Sequence, residues 1–176
     1  IEFGNGLIKA KALDDRVGCY TLLRLAERDY PNDIYFTFSV QEEVGCRGAM
    51  TAAYSVRPDM GVALDVTAWG DTPEVKLPAV KLGKGPAVKF IDSSMIATPA
   101  VRDLMLRAAE EAGVAAQREV LPFGGTDGSS IQRSRAGVPT GTLSIPCRYV
   151  HSPAEVIDMR DMEGALKLLL KLVEIA

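Results

Sequence analysis

Residues 34–48 read IYFTFSVQEEVGCRG, and the first half of that stretch decides the fold. Ile34, Tyr35, Phe36, Thr37, Phe38 and Val40 are β-branched or aromatic, almost without a break. Such a run predicts a strand buried on both faces of a parallel sheet. The chain leaves it through two adjacent carboxylates, Glu42 and Glu43, and then Gly45 and Gly48. Open α/β sheets place their ligands at the carboxyl ends of strands. Two acids there are either a solvated strand end or part of a site in which something offsets their charge.

On both sides of this stretch, helical and strand patterns alternate. Residues 1–12 read as a strand or linker, with turn signals at Gly4, Asn5 and Gly6. A helix is expected from Val17 to about Arg28, stopped at Tyr30-Pro31. After the glycines, Arg47–Tyr54 reads as a helix and Met60–Val66 as a second buried strand carrying Asp65. Residues 67–80 read as a polar loop, and Ala87–Ile91 as a short strand. Pro99 opens an amphipathic helix capped at Gly113. A strand at 117–121, a glycine-rich loop at 122–128, a helix at 129–135 and a strand at 138–145 follow. A last helix covers about 159–174. The alternation predicts an α/β fold, a three-layer α/β/α sandwich with a mixed, mostly parallel sheet.

The bulk numbers fit one domain: 176 residues, 47% hydrophobic and 24% charged. A net charge of −3 gives no reason to expect nucleic acid or an acidic membrane. No charged, apolar leader opens the chain and no apolar run is long enough to span a bilayer, so a cytoplasmic protein is expected. Cys19, Cys46 and Cys147 are odd in number and form no CxxC, which predicts three buried, reduced thiols.

The polar residues at strand ends and strand-to-helix turns are Asp14, Glu42, Glu43, Asp65, Asp127 and His151, the only histidine. A sheet that is parallel there brings them to one edge. Several carboxylates in one cleft do not all stay ionised without a cation. Carboxylates with one imidazole and no thiolate suit zinc, cobalt or manganese in a hydrolytic site. Each residue also has a plainer reading. Asp14 and Asp127 could cap helices, Asp65 could be a turn acid, and His151 could be a surface histidine. The glycine loop lacks the lysine and spacing of a phosphate cradle, and it suits close backbone approach in a substrate pocket.

Five segments, in order, resemble a known family. They are KALDDR at 11–16, VQEEVGCRGA at 40–49, ALDVT at 63–67, FGGTDGSSI at 123–131 and GVPTGTLSIPCRYVHSP at 137–153. They are similar to motifs of the glutamyl, leucyl and lysyl metallo-aminopeptidases that form tetrahedral TET particles. The resemblance covers essentially the whole chain. It implies a co-catalytic zinc exopeptidase fold and two divalent metal ions, zinc first, with cobalt or manganese next. Asp14 then matches the acid bridging both ions, often followed by a cis peptide. Glu43 and His151 match the other ligands of one ion, Asp65 a ligand of the second, and Glu42 the general base. Asp15 and Arg16 are expected to orient ligands, and Gly125, Thr126 and Asp127 to shape the substrate pocket. The implied substrates are peptides, cut at their N-termini. The implied assembly of the full-length protein is a homo-oligomer, a dodecamer.

The family's remaining ligand is a histidine near its N-terminus, ahead of an inserted dimerisation domain. Neither has a counterpart in this sequence. The resemblance therefore implies that residues 13–176 are the larger, C-terminal part of the catalytic domain, entered through a strand or linker at 1–12. Two other readings stay open: a related two-metal deacylase or carboxypeptidase, and an inactive module short of one metal ligand.

Overall fold

A computed structural model of the chain describes residues 1–68, 70–73, 75 and 80–176. β1 (Glu2–Phe3) and β2 (Leu7–Ala10) form a hairpin, so the expected strand or linker is a pair of short strands. α1 (Leu13–Ala26), a 3-10 turn (Glu42–Val44), α2 (Arg47–Val56) and β3 (Gly61–Ala68) follow. Then come β4 (Ala87–Ile91), α3 (Pro99–Glu111), β5 (Gln117–Val120) and α4 (Gly128–Gln132). β6 (Thr140–Arg148), β7 (Glu155–Asp158) and α5 (Met159–Ile175) end the chain.

The strands form one mixed sheet in the order β1-β2-β7-β6-β4-β5, with β3 on β6. The β3–β6 ladder, the longest, is parallel, as is β4–β5. The other four ladders among the described residues are antiparallel and short, so the sheet is mixed. β6 is the spine. It pairs with β3 along one edge, and with β4 and then β7 along the other.

Side chains alternate across β6 because successive strand residues face opposite ways. Leu143, Ile145 and Cys147 join the apolar core with Val17 and Leu25 of α1, Met105 of α3 and Leu168 of α5. Thr140, Thr142 and Ser144 face the opposite layer, where α4 sits close enough that Gly128 leaves room only for the Thr142 hydroxyl. This gives the three layers. The second face is unusually polar for a buried one. Lys89 of β4 and Glu119 of β5 pair there at 3.1 Å, both fully buried, and Thr67 of β3 donates to Glu119.

The stretch that announced the fold is the main departure. Residues 34–40 are extended but form no strand. Among the described residues, no backbone hydrogen bond joins 34–39 to anything. Ile34 and Phe36 are half-buried, while Tyr35, Phe38 and Val40 are 64, 47 and 68% exposed. A run of β-branched and aromatic residues favours a pleated surface, but a strand also needs a neighbour to satisfy its N–H and C=O groups. Here the described chain supplies none. The expected loop at 67–80 gives up Thr67 and Ala68 to β3, and its positions 69, 74 and 76–79 lie outside the described residues. The thiols also differ from expectation: Cys147 is buried in β6, but Cys46 is half-buried and Cys19 is exposed on α1. No described helix is long and apolar enough to cross a membrane.

Candidate metal centre

β2 runs into α1 through Ala12, and β6 turns into β7 through residues 149–154. Because β7 lies between β2 and β6, the start of α1 and the β6–β7 turn emerge side by side. Asp14 sits on the first and His151 on the second. His151 Nε2 is 3.0 Å from Asp14 Oδ2 and 3.1 Å from Glu43 Oε2. Glu43 arrives on the 3-10 turn that follows the extended stretch. One nitrogen and two carboxylate oxygens, all within 4.8 Å of one another, thus surround one point. The backbone bends sharply to achieve this. Ala12, Gln41, Cys46 and His151 have φ of 54, 59, 52 and 61°, where an L side chain costs on the order of 1 kcal/mol. The Asp14–Asp15 peptide is cis, as the resemblance implied.

Asp65 sits inside β3 rather than at its end, opposite Ser144, and its Oδ1 accepts the N–H of Val66 at 2.8 Å. With Asp14, Asp15, Glu42, Glu43 and Asp127 it lines a cavity of about 360 Å³. Glu42 Oε1 accepts the Cys46 thiol at 3.4 Å. Glu42, Cys46 and Asp127 converge on a second point beside the first.

Crowding shows in the acidities. Burial, then the charge of Glu43, raises Asp14 from 3.8 to about 6. Burial, then Asp65, holds Asp15 well above the usual carboxylate range, and burial, then Asp14, does the same for Asp65. Burial also raises Glu42, and with the Glu42 charge it pushes the Cys46 thiol up to about 12. Carboxylates that repel one another around a shared imidazole nitrogen are the donor set of a divalent cation, whose charge reverses the repulsion. The residues present therefore fit a metal.

Other expected positions fall less centrally. The Asp15 carboxylate turns back to accept the N–H of Gly18 at 3.1 Å, behind Asp14 and Asp65. Arg16 is exposed at the cavity wall. Thr126 is buried against Thr142 and Gly125 packs on Ser94, so of that loop only Asp127 lines the cavity. Asp127 precedes α4 without capping it; its side chain turns instead to Ser39 and Cys46.

Sequence reasoning missed Glu155 and Gly18. Glu155 is buried at the start of β7, and its carboxylate accepts backbone N–H groups beside the site. Its only sequence signal is an acid at the head of the short alternation EVID. Gly18 is the floor on which the Asp15 carboxylate lies, and a methyl group there would overlap it. Gly18→Ala is expected to displace Asp15 and lower stability by about 1–3 kcal/mol, the usual range for overpacking. Urea unfolding checks this, and an unchanged midpoint would contradict the close approach.

The comparisons agree with this geometry. Lysyl aminopeptidase of Pyrococcus furiosus is 39% identical over 166 residues, 92% of this chain and 47% of its own length. The aminopeptidase APDkam598 of Desulfurococcus kamchatkensis superposes with a TM-score of 0.96 at 41% identity, over 100% of this chain and 51% of its own. The TET1 peptidase of Pyrococcus horikoshii, which assembles into a tetrahedron or a large octahedral shell, does so with a TM-score of 0.85 at 33% identity, over 98% of this chain and 52% of its own. The chain spans about half the length of the curated relatives it matches. The sequence profile of the M42 glutamyl aminopeptidases matches residues 1–168, and the chain belongs to that family.

Proposed function

We propose that this chain carries the larger part of the catalytic domain of a dinuclear-metal aminopeptidase, which removes N-terminal residues from peptides. The observation that carries the reading is the convergence of Asp14 Oδ2, Glu43 Oε2 and His151 Nε2 on one point. These three would hold one divalent ion. Asp14 and Asp65 would hold a second, with a further ligand from outside residues 1–176. Zinc suits the donors first, with cobalt or manganese as alternatives. The ions, when bound, would supply Lewis acidity towards the scissile carbonyl and acidify the attacking water.

The chain's own residues do the rest. Glu42 stands beside the ligands but outside the Asp14–Glu43–His151 set. Its raised pKa, a consequence of burial, suits a group that takes a proton from water at a carboxylate oxygen and returns it to the leaving amine. The acid-lined cavity attracts the charged α-amine of a peptide, which restricts cleavage to the first residue. The cavity is large enough for one side chain and a short backbone. In a family-length protein we place this domain in the cytoplasm, within a homo-oligomer such as a dodecamer, by analogy with the TET1 assemblies.

Zinc content after dialysis tests the reading. Residues 1–176 are expected to keep one tightly held ion per chain, and His151→Ala to lose it. Equal zinc in both proteins would remove His151 from the site. The incomplete Asp14–Asp65 pair favours a second reading for residues 1–176 alone, a metal-binding module without turnover. Hydrolysis of aminoacyl anilides by residues 1–176 would overturn that second reading.

A further inference from the structure

We propose that Glu155 is a positioning residue of the metal centre, fixing Asp14 and His151 relative to each other before any ion arrives. The inference rests on the metal-site reading above. Glu155 divides its carboxylate between two distant parts of the chain. Oε2 accepts the backbone N–H of Asp14 at 3.0 Å, and Oε1 accepts that of His151 at 2.9 Å. The side chain is 2% exposed.

Its place in the sheet makes this possible. Glu155 opens β7, opposite Ala10 of β2. β2 is the strand that leads to Asp14, and β6, on the other side of β7, leads to His151. One carboxylate at the head of the middle strand therefore reaches both exits. Neither N–H belongs to a strand ladder. Both lie where the backbone is bent, with Ala12, Tyr149 and His151 at φ of 54, 59 and 61°. Bent segments of this kind keep their shape only when their surroundings over-determine it. Two hydrogen bonds from distant parts of the chain therefore converge on one side chain. Among the described residues no lysine or arginine forms an ion pair with Glu155. Among the described residues its carboxylate hydrogen bonds go to the two amides.

The chemistry of the carboxylate is specific. A glutamine has one acceptor oxygen and one amino group, so it serves one amide and turns a donor towards the other. Asp161 supplies an internal control. It is also fully buried and also takes two backbone N–H groups, from Gly83 and Gly85 at 2.7 Å each, but it touches none of the candidate ligands.

The experiment compares residues 1–176, Glu155→Gln and Asp161→Asn. Zinc affinity is measured by chelator competition, the cobalt(II) d–d spectrum is recorded, and amide exchange is followed in metal-free protein. Glu155→Gln is expected to weaken zinc binding about 10–100-fold, as losses behind a ligand do, and to alter the cobalt spectrum. Exchange at the Asp14 and His151 amides should quicken. Asp161→Asn should unfold more easily and bind zinc as the parent does. Equal zinc affinity in the parent and Glu155→Gln would overturn the proposal, and so would equal weakening by both substitutions. A parent chain that binds no zinc would instead overturn the metal-site reading, and this inference with it.

Discussion

Glu42→Gln in a family-length protein is expected to reduce peptide turnover by about 10²–10⁴-fold, the usual worth of a positioned acid–base group. Metal content should stay that of the parent. The reason is positional. Glu42 and Glu43 are adjacent on one 3-10 turn, but only Glu43 reaches His151. Glu42 instead meets Cys46 and Asp127. The amide keeps the shape of the carboxylate and can accept the Cys46 thiol, but it takes no proton from water. Glu43→Gln should do the reverse and release metal first. Turnover and bound zinc measured on both variants decide the matter. Metal loss from Glu42→Gln as large as from Glu43→Gln would sink the division of labour.

The second large effect is on stability, and it changes with pH in an unusual direction. Without metal, Asp14 is raised to about 6 from 3.8, and burial also holds Asp15 and Asp65 well above the usual carboxylate range. A raised acid keeps its proton in the folded chain at a pH where the unfolded chain has lost it. The folded state therefore binds more protons, and stability falls as pH increases. For Asp14 the contribution is whole below about pH 4 and gone above about pH 6, and Asp15 and Asp65 add losses of the same sign. In a chelator, the melting temperature should drop as the pH rises from about 4 through about 6. Zinc should reverse the drop at neutral pH. At a thousandfold excess over its dissociation constant, a ligand adds about 4 kcal/mol. In a domain of this size that is on the order of 8–16 °C. The zinc effect should fade below about pH 5 as the acids regain protons. Melting curves across pH, with chelator and with zinc, test this. A metal-free melting temperature that climbs from acid to neutral pH would show that the acids do not crowd one another.

Much of this was legible in the residues because periodicity is a local property. The α5 stripe of Met162, Ala165 and Leu169, the proline-led α3, the strand at 87–91 and most of β3, expected at 60–66, follow from it. That the acids Asp14, Glu43 and Asp65 and the lone histidine gather at one end of the sheet was legible, since polar residues at strand ends and turns collect at one edge. β7 was not, because four residues flush against a helix carry too little pattern. Glu155 was invisible as a working residue for a different reason. Its partners are backbone amides, which leave no trace in residue type. The 34–40 stretch marks the opposite limit. Composition tells what a segment prefers, while pairing depends on what lies beside it.

That stretch has a practical consequence. From Ile34 to Val40 there is no charge, no proline and no glycine, and among the described residues the backbone of 34–39 forms no hydrogen bond to another backbone group. Those are the ingredients of intermolecular β-zippering. Asp33 on one side and the Glu42-Glu43 pair on the other stand as gatekeepers against it. Colloidal behaviour of residues 1–176 therefore hangs on the charges of those flanking acids, and dilute, low-salt buffer, which leaves their mutual repulsion unscreened, is the safest place to keep the protein.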